Sequence, residues 1–253
     1  MGPGPMSDRW NFYPLMIEDK PASIFVDLGI NELVPVAGFP TMAFLSVRMR
    51  EPRDDGLSSQ AEYETLMALE DTIFKFAAGD DRTLYVGRST SDGCRDFYFY
   101  TRDAAIENNL RLLMQNWPQY AYETGTRLDT EWTTYSQFLY PSAEDLQLIG
   151  NRDVVYQLQQ NGDHSDCPRP IDHFAVFRTV HDRDAYGRFL VTDGFSISDK
   201  PASQDGRFGI SFSRSDRPDQ IDPVTIGLYR AALEHNGDYD GWGCAAVIRR
   251  PTP

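Results

Sequence analysis

The sequence lacks several features that define common classes of protein. It has only three cysteines in 253 residues, Cys94, Cys167 and Cys244, and they are widely separated. An odd number of isolated cysteines is typical of reduced thiols and not of a disulfide framework. No apolar run approaches the ~18 residues that a membrane-spanning helix needs. The first six residues have no basic region followed by an apolar stretch, so we expect no signal peptide. These absences predict a cytoplasmic protein with no membrane partner.

Positive charge is also scarce. The chain has 24 Lys and Arg against 38 Asp and Glu, which gives a formal net charge of −14. Binding to a phosphate backbone depends on clustered Lys and Arg, so we expect no direct nucleic-acid partner. The hydrophobic fraction of 41% is sufficient for packed cores. An acidic surface favours a basic protein partner, which electrostatic steering would bring to it.

Motifs with catalytic spacing are missing as well. The neighbours Glu70 and Asp71 do not form an acid–base pair, because adjacent residues of a helix do not face each other. Gly87-Arg88 follows a predicted strand but lacks the remaining glycines and the lysine of a phosphate-binding loop. Zinc-type ligands occur between Asp163 and His173, yet their spacing matches no familiar pair of ligand couples. The sequence therefore predicts a protein that is not an enzyme and holds no metal or cofactor.

What the chain does contain is a repeated order of elements. Residues 41–135 and 171–249 each read as strand, helix, strand, strand, helix, strand, with residues 131–135 as part of the last strand or pair of the first run. This order predicts an α+β fold of two ferredoxin-like (split β-α-β) sandwiches with antiparallel sheets. An additional hairpin near the N-terminus, turning around residues 19–22, extends the first sandwich. Pro141 marks the predicted boundary, so we expect domains at 8–138 and 141–250. The repeat is either a duplication or a chance similarity of short hairpins.

Local signals predict where two helices begin and how two strands are oriented. Capping boxes occur at Ser59-x-x-Glu62 and Ser142-x-x-Asp145. Alternation in the strand that contains His173 places this side chain on one face and Phe174 on the other. The strand Arg95–Tyr100 is rich in aromatics, as in sheets that stack RNA bases. Packing in the core explains the same residues, and exposure of Phe97, Tyr98 and Phe208 would distinguish the two.

The segment Asn236–Gly243 combines carboxylates, a phenol and an indole with glycines, which permit positive φ and close backbone approach. Two interpretations stay open. The segment presents Asp238, Asp240 and Trp242 to a partner, or Tyr239 and Trp242 lock the last strand onto the helices.

Three motifs of the C-terminal half together carry a resemblance to a known family. They are Arg169-Pro-Ile-Asp-His-Phe174, Gly194-Phe195 and Tyr239-Asp-Gly-Trp-Gly243. Over roughly residues 142–249 the chain resembles the regulator of ribonuclease E activity B family. The resemblance implies a ferredoxin-like fold and a small acidic protein that binds the degradation endonuclease and modulates its activity without chemistry of its own.

The N-terminal half resembles an uncharacterised domain family that is often fused to this regulator. The resemblance rests on Trp10-Asn-Phe-Tyr13, Lys20-Pro-Ala-Ser-Ile24, Asp55-Gly-Leu57, Tyr85-Val-Gly-Arg88 and Gly93-Cys-Arg-Asp-Phe-Tyr-Phe-Tyr100.

These observations predict a non-catalytic, acidic, protein-binding regulator, and the resemblance implies that its partner is a ribonuclease or another degradosome component. An aromatic anchor with flanking carboxylates would suit a basic partner. The predicted partner-binding residues are Asp172, His173, Tyr239, Asp240 and Trp242.

The alternative is a small-ligand-binding protein or an enzyme with a site between the two domains, because clefts between domains are common ligand sites. Its candidate residues are Arg88, Arg95 and His173.

Overall fold

The computed structural model describes residues 7–201 and 206–248. The chain divides into two compact units, residues 1–141 and 142–253. Each unit contains one antiparallel sheet with helices packed against it, which confirms the predicted α+β fold of two sandwiches. The expected absence of a signal peptide concerns residues 1–6, and the predicted end of the second domain falls at residue 250; both lie outside the described residues. None of the helices in the described ranges is long and apolar enough to cross a membrane.

The N-terminal unit is built on a six-stranded sheet. Its elements are β1 (Trp10–Ile17), β2 (Lys20–Asp27), β3 (Thr41–Arg48), α1 (Tyr63–Ala78), β4 (Thr83–Ser91), β5 (Cys94–Thr101), α2 (Ile106–Met114) and β6 (Tyr122–Leu128). A 3-10 segment, Gly29–Leu33, follows β2, and a π-helical segment, Thr134–Leu139, forms where residues 131–135 were predicted to continue a strand. The strand order is β1-β2-β4-β5-β3-β6. A buried apolar core lies between one face of this sheet and the helices α1 and α2.

The hairpin of β1 and β2 turns at a different position from the predicted one. Ile17 pairs directly with Lys20, so the loop consists of Glu18 and Asp19 alone. Both loop residues have positive φ, 48° and 62°. A two-residue loop with this geometry matches the twist of the flanking strands. Pro21, which the sequence placed in the turn, belongs to β2 instead.

The C-terminal unit repeats the same architecture with four strands. Its elements are α3 (Ala143–Gln160), β7 (Arg169–Phe177), α4 (Val180–Thr192), β8 (Ser196–Asp199), β9 (Phe208–Asp216), a 3-10 segment (Pro218–Gln220), α5 (Asp222–Glu234) and β10 (Gly237–Gly243). The strand order β10-β7-β9-β8 corresponds to β6-β3-β5-β4 of the first unit. In both runs the first and third strands of the β-α-β-β-α-β order are adjacent, with the fourth strand beside the first and the second beside the third, which is the split β-α-β arrangement.

One of the two predicted capping boxes forms. At the start of α3, the Ser142 side chain accepts from the Asp145 N–H at 3.1 Å, and the Asp145 carboxylate accepts from the Ser142 N–H. The box predicted from Ser59 for α1 is wrong. The Glu62 carboxylate instead accepts the backbone N–H groups of residues 50–51 at 3.0 and 2.9 Å. A tertiary contact therefore replaces the local one.

Candidate functional site

The glycine-rich segment forms β10, which pairs antiparallel with β7 along one edge of the C-terminal sheet. The register shifts between Tyr239 and Gly241, and Gly241 adopts a φ of 101°. Such a bulge leaves one residue without a partner in the neighbouring strand. Here that residue is Asp240, which is exposed. On either side of the bulge, Tyr239 and Trp242 lie on the sheet face that the helices cover.

His173 lies in the core of the C-terminal unit and has no exposed surface. Its Nδ1 is 2.8 Å from the hydroxyl of Tyr239, and its ring stacks on Phe212 at 5.4 Å and meets the edge of Phe195 at 5.6 Å. Burial lowers the pKa of His173 to about 4, so the ring is neutral at pH 7. Tyr239 is also buried. A buried side chain offers no surface to a partner, so these two predicted contact residues take a core role.

Trp242 links β10 to two helices. Its Nε1 donates to Asn151 Oδ1 of α3 at 2.8 Å. The Nδ2 of Asn151, which is itself buried, donates to Asp222 Oδ1 at 2.8 Å and to Thr225 Oγ1 at 2.7 Å, both at the start of α5. This network supports the interpretation that Trp242 locks the last strand onto the helices.

The opposite face of the same sheet carries an exposed aromatic between carboxylates. Phe174 is 43% exposed, and Asp172 on the same strand and face is also exposed. On β10, Asp238 lies opposite Val176 and therefore on this face as well. We call Asp172, Phe174 and Asp238 the open-face patch. Phe174 was not among the predicted contact residues, although the alternation in β7 indicated that it faces away from His173. Asp238 was considered as part of the glycine-rich segment but was not among the predicted partner-binding residues.

The polar loop before β7 is held by an internal ion pair. Asp163 accepts from Arg169 Nη2 at 2.6 Å and from the backbone N–H of Val247 at 2.6 Å. Burial alone would raise the Asp163 pKa, but these hydrogen bonds outweigh it and lower the pKa below its usual value. Within residues 7–201 and 206–248, no group of three or more His, Cys, Asp or Glu side chains is arranged to hold a metal.

A concave site lies in the N-terminal unit, between the β1–β2 hairpin and α1. Its volume is about 780 Å³, within the range of ~300–1,000 Å³ typical of small-molecule sites. We call it the hairpin cavity. Its lining residues are Trp10, Phe12, Ser23, Phe25, Arg53, Leu57, Ser58, Tyr63, Met67, Glu70, Asp71, Phe74, Arg88, Thr90 and Arg95.

A bulge in β4 places Arg88 in this cavity. Tyr85 pairs with Phe99 and Arg88 with Phe97, with one extra residue of β4 between these pairs. In a regular strand Arg88, three residues after Tyr85, would lie on the opposite face, because strand side chains alternate. The extra residue at the bulge brings Arg88 back to the face of Tyr85. The bulge requires Gly87, since a Cβ there would come within 2.7 Å of the Phe25 carbonyl oxygen.

One carboxylate lies between two guanidinium groups at the inner end of the hairpin cavity. Glu70 of α1 accepts from Arg88 Nε at 2.7 and 2.8 Å and from the Tyr85 hydroxyl at 3.3 Å. It also forms a longer ion pair with Arg95 Nη1 at 3.6 Å. Glu70 was missed because its partners are distant in sequence and only the fold brings them together. The sequence signal that could have identified Glu70 is its position among the residues of α1 that face the core.

Arg95 is only 3% exposed. Its Nε donates to Thr90 Oγ1 at 3.2 Å and its Nη2 to Ser58 Oγ at 3.4 Å. Its Nη1 has no hydrogen-bond acceptor in the part of the chain that the structure describes. Burial, and then the nearby Arg88 charge, lower the pKa of Arg95 to about 10, so the group stays cationic at neutral pH.

The predicted ligand-binding residues are thus distributed over both units. Arg88 and Arg95 meet in a cavity built from residues of the N-terminal unit, whereas His173 lies in the core of the other unit. Of the aromatics considered for RNA stacking, Phe97 is buried, and Tyr98 and Phe208 are half-buried.

Comparisons with known proteins agree with the two-part architecture. The two units, each an antiparallel sheet layered with helices, define an α+β protein. The chain belongs to the family of unknown function DUF695, whose model matches residues 8–140, more than half of the sequence. Residues 148–244 match the model of the regulator of ribonuclease activity B family. Both resemblances seen in the sequence are therefore confirmed.

No curated protein matches the chain. Among solved structures, a crystal structure assigned to a glycine cleavage system transcriptional repressor covers 79% of this chain and 95% of its own, at 9% identity and a TM-score of 0.24. A likeness at this level supports no inference about function.

Proposed function

We propose that this protein is a non-catalytic regulator that binds a ribonuclease directly through the open-face patch of its C-terminal unit. The observation that carries the proposal is the exposed Phe174, which lies between carboxylates in a unit that matches a family of ribonuclease regulators. Exposed aromatics in the centre of a polar patch are typical anchors of protein interfaces.

The charge of the chain suits a basic surface on the ribonuclease. Asp172 adds local negative charge to a chain with a net charge of −14, whereas Asp238 forms an exposed ion pair with Arg207 at 3.5 Å. Such charges act mainly on the rate of association and on its salt dependence. Asp240, exposed at the bulge of β10, lies beside this surface and joins the proposed contact residues, whereas Trp242 supports the strand from the other face.

The experiment measures binding and inhibition with a purified ribonuclease of the ribonuclease E type and a fluorogenic RNA substrate. We expect direct binding, a changed cleavage rate, and an affinity that falls with added salt. Phe174→Ala should weaken binding at least tenfold, the loss expected of a central anchor. Tyr156→Ala is the matched control, because it removes an aromatic that is 60% exposed on α3 of the same unit.

Two outcomes would refute the proposal. One is the absence of binding between the intact protein and the ribonuclease. The other is an equal effect of the Phe174 and Tyr156 substitutions, which would show that the open-face patch is not the contact surface.

A further inference from the structure

We propose that the hairpin cavity of the N-terminal unit binds a small ligand with a flat apolar body and a single carboxylate. This site is separate from the proposed ribonuclease contact and rests on different observations. Its inner end is cationic and its walls are aromatic. The inner end therefore suits an anionic group of the ligand, and the walls suit a flat apolar body.

The cationic end has more positive than negative charge. Arg88 and Arg95 share one carboxylate, Glu70, whose two oxygens are occupied by Arg88 Nε and the Tyr85 hydroxyl. At the rim, Arg53 pairs with Asp55 outside the cavity, and Asp71 is exposed to solvent. The buried part of the site therefore has one guanidinium that is not fully neutralised, in a chain that is strongly acidic overall.

Arg95 is the specific indication of an anion. A buried cation is costly unless it is paired and hydrogen-bonded. Arg95 has hydroxyl acceptors for Nε and Nη2, but within the described ranges Nη1 has only the long contact to Glu70. A ligand carboxylate would supply the missing acceptor and the missing charge, since charge-assisted hydrogen bonds of this type are short and strong.

The walls are suited to a flat apolar body. Trp10 stacks on Phe25 at 5.0 Å and on Tyr85 at 5.3 Å, and Phe74 meets the edge of Trp10 at 6.2 Å. Arg88 lies over the Phe25 ring at 5.3 Å, which fixes its guanidinium between the aromatic wall and the cationic end. Rings offset-stack on such walls, and the stack would orient an attached carboxylate toward Arg95.

The experiment titrates the full-length protein with naphthoate and with the neutral naphthamide by isothermal titration calorimetry. We expect one naphthoate molecule to bind per chain, at least about tenfold more tightly than naphthamide. Arg95→Gln should remove this preference. The variant is expected to fold, because Arg88 and Glu70 remain as a balanced pair, and circular dichroism would confirm this.

Two further variants keep the test independent of Arg95. Phe74→Ala should weaken both probes, because Phe74 is part of the aromatic wall and is 40% exposed. Phe174→Ala, an exposed aromatic of the other unit, should change neither. Equal affinity for the two probes, failure of naphthoate to bind at millimolar concentration, or an equal effect of Phe74→Ala and Phe174→Ala would each overturn the proposal. Failure of naphthoate would direct attention to a peptide as occupant.

Discussion

Burial of His173 predicts a specific dependence of stability on pH. The imidazole has an ordinary pKa of 6.5 when unfolded, and burial lowers the pKa of His173 to about 4 in the folded protein. Between these values the unfolded state binds a proton that the folded state does not. Stability therefore falls as the pH decreases from 6.5 and reaches its full loss below about 4. The difference between the two pKa values corresponds to about 3 kcal/mol.

The double variant His173→Phe with Tyr239→Phe tests this pH dependence. Replacing both hydrogen-bond partners by apolar rings avoids an unsatisfied Tyr239 hydroxyl and is expected to be nearly neutral at pH 7. Lowering the pH from about 7.5 to about 5 should destabilise the natural protein by about 2 kcal/mol more than the double variant. The aspartates and glutamates are the same in both proteins, so the difference between the two reports the buried histidine.

The assay must report on the C-terminal unit alone, because a chain of two units need not unfold in one step. Trp242 is the only tryptophan among residues 142–253. Urea unfolding followed by the fluorine signal of fluorotryptophan at this position, assigned with a Trp242→Phe variant, gives that readout. An identical loss of stability in the natural protein and the double variant would refute the argument that His173 is held neutral by burial.

Two further predictions concern hydrogen bonds to buried groups. Trp242→Phe leaves Asn151 Oδ1 without its donor and should lower the free energy of unfolding by about 1–3 kcal/mol in urea titrations, whereas Asp240→Asn at the exposed bulge should change it by less than ~0.5 kcal/mol. Asp129→Asn should cost about 3 kcal/mol at pH 7, because the carboxylate accepts from the Tyr100 hydroxyl at 2.6 Å and from two backbone N–H groups. Burial opposes ionisation, but these hydrogen bonds hold the Asp129 pKa far below 3.8, so its contribution is present above pH 3.8 and lost in more acidic solution, which thermal unfolding at pH 7 and in acid would show.

The sequence predicted the architecture because the relevant signals are local. Alternation in β7 identified the faces on which His173 and Phe174 lie. The capping box at Ser142 could be predicted because its partner, Asp145, is only three residues away. The prediction at Ser59 is wrong because the Glu62 side chain accepts from the backbone twelve residues earlier. Such a tertiary contact cannot be recognised from the spacing of residues along the chain.

The hairpin cavity shows the same limit for functional residues. Arg88 and Arg95 were recognisable as candidate cations, but Glu70 joins them from eighteen residues before Arg88. The bulge that brings Arg88 to the helix side is a single extra residue in β4, and an alternating pattern cannot predict it. In the C-terminal half, the hydrogen bond from Trp242 to Asn151 could not be predicted from the sequence, because Asn151 lies on a helix 91 residues earlier.

The pairing of β2 with β4 has a consequence for solubility. β8, the counterpart of β4 in the other unit, is a four-residue edge strand, whereas β4 has nine residues, most of them buried. Long apolar edges recruit strands from other molecules. In the intact chain the edge is β1 instead, which contains Pro14, a residue that cannot donate to a further strand. A shortened chain that begins after Asp27 would present β4 as its edge and should self-associate more readily than the intact chain.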